Sequence, residues 1–169
     1  MTDNAERPLI VGVMGGADVT DDVARKACEL GALIAGQGWI LLNGGRDAGI
    51  MAASARGAAE AGGITVGILP DTDSRHAARN IQIAICTGMG SARNVINVLS
   101  SDVVVACPGG AGTLSEIALA LKHGKTVITM DFDTKGLFAD FIRNGRLIEL
   151  DSPAAIVARI RQIQASKNR

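Results

Sequence analysis

The chain has 169 residues, 47% of them apolar and only four aromatic (Trp39, Phe132, Phe138 and Phe141), which is one domain's worth of an aliphatic core. Its 17 Lys+Arg balance 17 Asp+Glu, and that neutrality argues against a nucleic-acid partner, which a basic patch would serve. Cys28, Cys86 and Cys107 are scattered and form no CxxC, so they fit reduced thiols better than disulfides or a zinc site, and no apolar run reaches membrane-spanning length.

Residues 1–8 are short and polar and read as a frayed terminus rather than a signal peptide, in a single-domain, soluble, cytoplasmic protein. The apolar run Leu9–Met14 reads as a buried strand ending in a Gly15-Gly16-Ala17-Asp18 loop. Helical periodicity follows over Asp21–Gln37, with Thr20 as its cap and two acidic residues in its first turn. Next come a strand at Trp39–Leu42, the loop Asn43-Gly44-Gly45-Arg46-Asp47 and a helix at Ala48–Ala61. Strands at Ile64–Leu69 and Ile81–Cys86 flank a polar stretch starting at Pro70, and a loop from Thr87 leads to a helix over Ser91–Leu99. The strand Val103–Ala106 opens the run Cys107-Pro108-Gly109-Gly110-Ala111-Gly112-Thr113-Leu114-Ser115-Glu116, which enters a helix at Leu114–His123. Thr126–Met130 and Leu147–Leu150 are the last strands, Leu137–Asn144 and Pro153–Gln164 the last helices, the latter capped by Ser152 with proline in its first position. Continuous apolar strands alternating with helices predict an α/β, Rossmann-like, doubly wound sheet of about seven mainly parallel strands with helices on both faces.

Ligands of such a sheet bind outside the carboxyl ends of its strands. Three loops there carry Gly-Gly pairs: Gly15-Gly16, Asn43-Gly44-Gly45 and Pro108-Gly109-Gly110-Ala111-Gly112-Thr113. Glycines let a ligand approach the backbone, and a helix N-terminus offers it unpaired N–H groups, the pattern of a phosphate site. Other candidates are weaker. Gly124-Lys125-Thr126 precedes a strand where a P-loop precedes a helix. Gly110-Ala111-Gly112, with Asp131 at a later strand end, keeps a dinucleotide reading open. Asp71/Asp73 and Asp131/Asp133 are expected to be solvated, and His76 and His123 to lie on the surface. Cys107 reads as a buried small hydrophobe rather than a nucleophile. No metal and no required cofactor are expected.

Glu116 stands at the expected start of the phosphate-loop helix. Thr113 to Glu116 also forms a T-x-x-E capping box, the structural alternative. A carboxylate roughly 6 Å from a phosphate costs about 3 kcal/mol per unit charge at an effective dielectric of about 20. A helix dipole returns only about 0.3–1 kcal/mol, or up to about 2 when partly buried. The loop and Glu116 therefore coexist around a phosphate only if a cation intervenes or the carboxylate faces another part of the ligand, and Arg93, at the start of the preceding helix, is the obvious cation. Glu116 then faces a sugar, where a carboxylate stabilises an oxocarbenium-like centre and directs water.

Pro108 to Glu116 matches the PGGxGTxxE signature, and the chain resembles the LONELY GUY family of cytokinin-activating phosphoribohydrolases. The resemblance extends through Asn43-Gly44-Gly45, Gly49-Ile50-Met51 and Gly67-Ile68-Leu69-Pro70, and covers roughly residues 9 to 131. It implies cleavage of a purine or cytokinin-type nucleoside 5′-monophosphate to a free base and ribose 5-phosphate, with the phosphate on Gly109–Thr113 and catalytic roles for Arg93 and Glu116. The family's Arg-Lys pair reads Arg93-Asn94 here. That variant looks closer to a branch including molybdenum-cofactor carrier proteins, which bind a phosphorylated cofactor without hydrolysing it.

Leu114, Ile117, Ala118, Leu119, Ala120 and Leu121 make a helix apolar nearly all round, and Val95, Ile96, Val98 and Leu99 repeat the pattern. One face covers the sheet, so the rest predicts a homodimer or homotetramer through these helices. The alternative is burial by the chain's own C-terminal helix.

Overall fold

In the computed structural model, which describes residues 7–167, seven parallel strands form one sheet. They are β1 (Ile10–Met14), β2 (Ile40–Asn43), β3 (Thr65–Leu69), β4 (Ile83–Cys86), β5 (Val103–Ala106), β6 (Thr126–Met130) and β7 (Leu147–Leu150). The helices are α1 (Asp21–Gly36), α2 (Gly49–Glu60), α3 (Asn94–Ser100), α4 (Ala111–Lys122), α5 (Ala139–Arg143) and α6 (Pro153–Lys167). The sheet order β4-β3-β2-β1-β5-β6-β7 makes the fold Rossmann-like and doubly wound, and every pairing is parallel.

Strand alternation sorts the core into two layers. Val11, Val13, Leu41, Val103, Val105, Ile128 and Met130 point to one face, where α1, α2 and α6 cover them through Leu30, Ile34, Ile50 and Ile156. Met14, Leu42, Ile68, Val104 and Val127 point to the other, under Val98 of α3, Ile117 and Leu121 of α4, and Phe138 and Phe141 at the start of and within α5. Both faces are covered, which is why the strands read as unbroken apolar runs. The edge strand β4 is the exception, exposed throughout. Its connection from β3 carries no helix to lay over it.

β1 is the pivot, lying between β2 and β5. The chain leaves it one way through α1 and resumes on its other side only at β5, so the loops after β1 and β5 diverge and open a crevice between them.

Residues 1–6 of the expected frayed terminus lie outside the described residues. Arg7, also assigned to it, is instead tied down by a fork onto Asp102 at 2.6 and 2.9 Å. The helix at Ser91 begins as a 3-10 turn over Gly90–Arg93 before α3. The C-terminal helix does not cover α4: α6 packs in the layer of α1, across the sheet. Among the described residues, no helix is long and apolar enough to cross a membrane.

Candidate functional site

The crevice at the switch point is a cleft of about 190 Å³ lined by Val13, Met14, Gly15, Gly16, Gly44, Met51, Arg93, Asn94, Gly110, Gly112, Thr113 and Glu116. A second hollow, of about 430 Å³, shares Gly16 and Gly110 with it and continues over Val19, Val23 and Pro108. The floor is stitched together by backbone bonds. Gly16 N–H donates to the Pro108 carbonyl at 2.9 Å, and Ile50 N–H donates to the Gly16 carbonyl at 3.0 Å.

α4 begins at Ala111, three residues before the helix expected from Leu114, and its cap, Gly110, supplies no side chain. The leading N–H groups of α4 thus have no intrahelical partner, and Gly112 and Thr113 among them line the cleft, which suits an anion. The early start also removes the capping-box alternative. Thr113 is already the third helical residue, and Glu116 lies in the second turn. Glycine reads as loop by composition, but in a first turn its freed N–H is an orphan in any case.

Glu116 is 6% exposed. Its Oε1 accepts a hydrogen bond from Asn97 Nδ2 at 2.9 Å and lies 3.6 Å from Arg93 Nη1. Burial pushes the Glu116 carboxyl above its usual range, against the pull of the Asn97 bond and the Arg93 charge. Burial likewise lowers the Arg93 guanidinium below its ordinary value, outweighing the attraction of Glu116. Both charges are thus held at a desolvation cost that their mutual attraction does not cover, the usual condition of a binding or catalytic cleft. Arg93 Nε is buried without a partner, as is Asn97 Oδ1.

Arg93, Glu116, Gly15, Gly16, Gly44, Gly110, Gly112 and Thr113 come together in the one cleft. Gly45, Ala111 and Asn43 lie outside its lining, and Pro108 and Gly109 line the adjoining hollow instead. Asn43 is wholly buried and turned inward: its Oδ1 accepts from Gly45 N–H at 2.8 Å, and its Nδ2 donates to the Met51 carbonyl at 2.9 Å and to Ser54 Oγ at 3.1 Å. It shapes the loop after β2. At Gly44 the close approach comes from the protein: a Cβ would stand 2.6 Å from Arg93 Nη2, so the guanidinium lies across that backbone. Asn97 was not anticipated. Its signal is spacing, one helical turn beyond Arg93 and polar among Val95, Ile96, Val98 and Leu99.

Gly110 and Gly112 differ from Gly15, Gly16, Gly44, Gly45 and Gly109, since a Cβ on either meets nothing within 4 Å. No packing within the chain demands glycine there, and a helical glycine costs about 1 kcal/mol relative to alanine. Gly112→Ala is therefore expected to raise stability by about 0.5–1 kcal/mol in urea titration while weakening any ligand seated on the α4 N-terminus. A gain in both would show that no ligand approaches this backbone.

The other chemical candidates resolve into structure. Asp71 pairs with Arg46 at 2.9 Å, Asp73 with Arg75 at 2.8 Å, and Asp131 with Lys26 at 2.6 Å, so Asp131 is not the free ribose partner of the dinucleotide reading. Cys107 is completely buried, which pushes its thiol up to about 12 and makes it inert. Among the described residues, no three His, Cys, Asp or Glu side chains gather as a metal site.

The fold and the cleft define a Rossmann-like α/β protein whose switch point joins an uncapped helix N-terminus to a desolvated arginine–glutamate pair. Residues 8–157 match the SLOG cluster4 family, and the chain belongs to it. It is similar to the molybdenum cofactor binding protein of Rippkaea orientalis, with 46% identity and a TM-score of 0.89 over 94% of this chain and 99% of that one. It is also similar to the molybdenum cofactor carrier protein of Chlamydomonas reinhardtii, with 41% identity and a TM-score of 0.87 over the same shares. A cytokinin riboside 5′-monophosphate phosphoribohydrolase of Mycobacterium tuberculosis is 35% identical over 113 residues, 62% of this chain and 60% of that protein.

Proposed function

We propose that this protein binds and carries a phosphorylated cofactor of the molybdenum-cofactor kind. One observation carries the reading. Asn94, where the hydrolase-like Arg-Lys pair has its lysine, is a neutral amide spent inside the protein: its Oδ1 accepts from Arg93 Nη1 at 2.9 Å, and its Nδ2 bonds Ser115 Oγ at 3.1 Å. The cleft is thus left with Arg93 as its one cationic lining residue. Similarity to the Rippkaea and Chlamydomonas proteins over nearly their full lengths supports the same reading. The residues present suit the phosphorylated end of such a cargo. The N–H groups of Ala111, Gly112 and Thr113 seat the phosphate, Arg93 offsets its charge, and the open faces of Gly110 and Gly112 admit it.

The test is anaerobic purification from cells that make the molybdenum cofactor, with mass spectrometry of whatever the protein releases. A molybdenum-bearing pterin phosphate at near one per chain is expected. A yield no higher than that of Arg93→Ala would count against the carrier reading.

A second reading, phosphoribohydrolase chemistry, is favoured by the Arg93–Glu116 pair standing in the cleft and by the Mycobacterium relative. Water would attack C1′ of a nucleoside 5′-monophosphate, with Glu116 orienting the ribose hydroxyls and the water, to leave base and ribose 5-phosphate. Incubation with AMP and chromatography for adenine decides it, Glu116→Ala being the blank.

The assembly we expect is a dimer through α3 and α4. Ile117, Ala120, Leu121 and Val98 are used by the chain's own core, but Leu99 is 49% exposed and Val95, Ile96, Leu114 and Leu119 are only half-buried. Sedimentation showing only monomer at micromolar concentration would remove it.

A further inference from the structure

Glu116 lines the cleft beside Gly110, Gly112 and Thr113, where an anion would sit, and Arg93 serves both. A phosphoryl dianion entering there meets a single guanidinium already committed to a carboxylate. The carboxylate is also lopsided. Arg93 Nη1 and Asn97 Nδ2 both address Oε1, while Oε2 accepts no hydrogen bond among the described residues.

We propose that a phosphoryl dianion enters this cleft together with one proton, which Glu116 takes up on Oε2 because Asn97 donates to Oε1 and Arg93 stands beside that same oxygen. The inference rests on the phosphorylated-ligand reading and specifies the charge state in which that ligand is held. The proton comes from solvent, and the only bond formed is the carboxyl O–H. Glu116 then changes from a repelling charge to a hydrogen-bond donor toward a ligand oxygen, and Arg93 is released to the phosphoryl group. Asn97 is a positioning residue: wholly buried, it fixes which oxygen remains free. The groups around Glu116 pull in both directions: burial favours the proton, while the Arg93 charge and the Asn97 amide favour the ionised carboxylate. Arg93 faces it from the 3-10 turn and Asn97, neutral, from α3, while Val13 and Met14 of β1 are apolar. Arg46 and Asp71 act on Arg93 from the loops after β2 and β3. His76 is exposed on the β3–β4 connection. Burial has already raised the free carboxyl, so the entering dianion has only to push it further.

Sulfate tests this directly, being a tetrahedral dianion with no proton of its own to exchange near neutral pH. Its affinity is followed by NMR titration at a series of pH values. Wild-type affinity should fall about tenfold per pH unit once pH exceeds the pKa of the free carboxyl, as uptake of one proton requires. Glu116→Gln should hold the wild-type low-pH affinity with that slope gone. Asn97→Leu, which removes the donor that keeps Glu116 ionised, should move the onset of the fall to higher pH. A slope that persists in Glu116→Gln overturns the proposal, and so does an unmoved onset in Asn97→Leu. Folded wild-type protein that binds no sulfate at any pH overturns the phosphorylated-ligand reading itself.

Discussion

Arg93→Ala is expected to cost on the order of 3 kcal/mol of stability at about pH 8 and far less at about pH 4. The loss comes from what remains behind. Glu116 is 6% exposed, and without Arg93 its charge keeps only the Asn97 hydrogen bond. Breaking a buried pair by removing one partner typically costs about 3–5 kcal/mol, because the survivor is stranded. The lower end applies here, since Arg93 is itself desolvated and its removal returns part of that cost.

The sign with pH follows from the direction of the Glu116 shift. Its folded pKa is raised by burial and rises further when Arg93 is gone, so the folded state binds the proton more tightly than the unfolded chain. Stability is therefore fully present below the unfolded carboxyl's pKa, about 4.3, and is lost as pH rises through the folded value. Urea titrations at the two pH values measure the difference. An equal deficit at both would mean that Arg93 serves only as packing. Arg93→Met combined with Glu116→Gln should recover most of the stability while leaving a cleft that no longer holds an anion.

The second large effect lies far from the cleft. Gly57→Ala should destabilise by about 3 kcal/mol, the top of the range for overpacking, although alanine is the better helix former by about 1 kcal/mol. Gly57 is buried in α2, and a Cβ there would fall onto the Cys28 carbonyl oxygen of α1. Gly31 of α1 meets α2 in the same way: its Cβ would press on the Ser54 carbonyl and stand 3.0 Å from Ala58 N. The two helices touch backbone to backbone at these positions, so an added methyl has no rotamer to escape into and the axes must part. Thermal unfolding of Gly57→Ala beside Gly112→Ala is a paired measurement, with the first expected to fall and the second to rise. The same substitution in two helices changes sign because one glycine faces another helix and the other faces open space.

The seven strands and six helices were legible because their residues are locally consistent. The apolar runs are unbroken, the turns carry glycine, and Thr20 and Ser152 mark their helix starts by accepting hydrogen bonds from the Val23 and Ala155 N–H groups. The start of α4 is misplaced because its glycine-bearing first turn is helical, and that of α3 because Gly90–Arg93 winds as a 3-10 turn; composition reveals neither. Arg93 and Glu116 stood out because a charge beside a phosphate loop demands an offsetting partner, an argument that needs no coordinates.

The partners of those two residues were another matter, since they depend on contacts between segments remote in sequence. Asn97 and Glu116 are 19 residues apart and meet only when α3 and α4 pack side by side on the sheet. Asn43 has the composition of a ligand-binding residue, yet the fold turns it inward because the loop after β2 has its own N–H and carbonyl groups to satisfy. Gly44 was legible as a close approach, but not that Arg93 makes it. Residue identity is enough to say which elements form and which charges must answer each other, because propensity, periodicity and Coulomb's law act through it. Which oxygen of Glu116 stays free, and which glycines face a helix rather than open space, emerge only on packing, because burial and hydrogen-bond partnership belong to the folded chain.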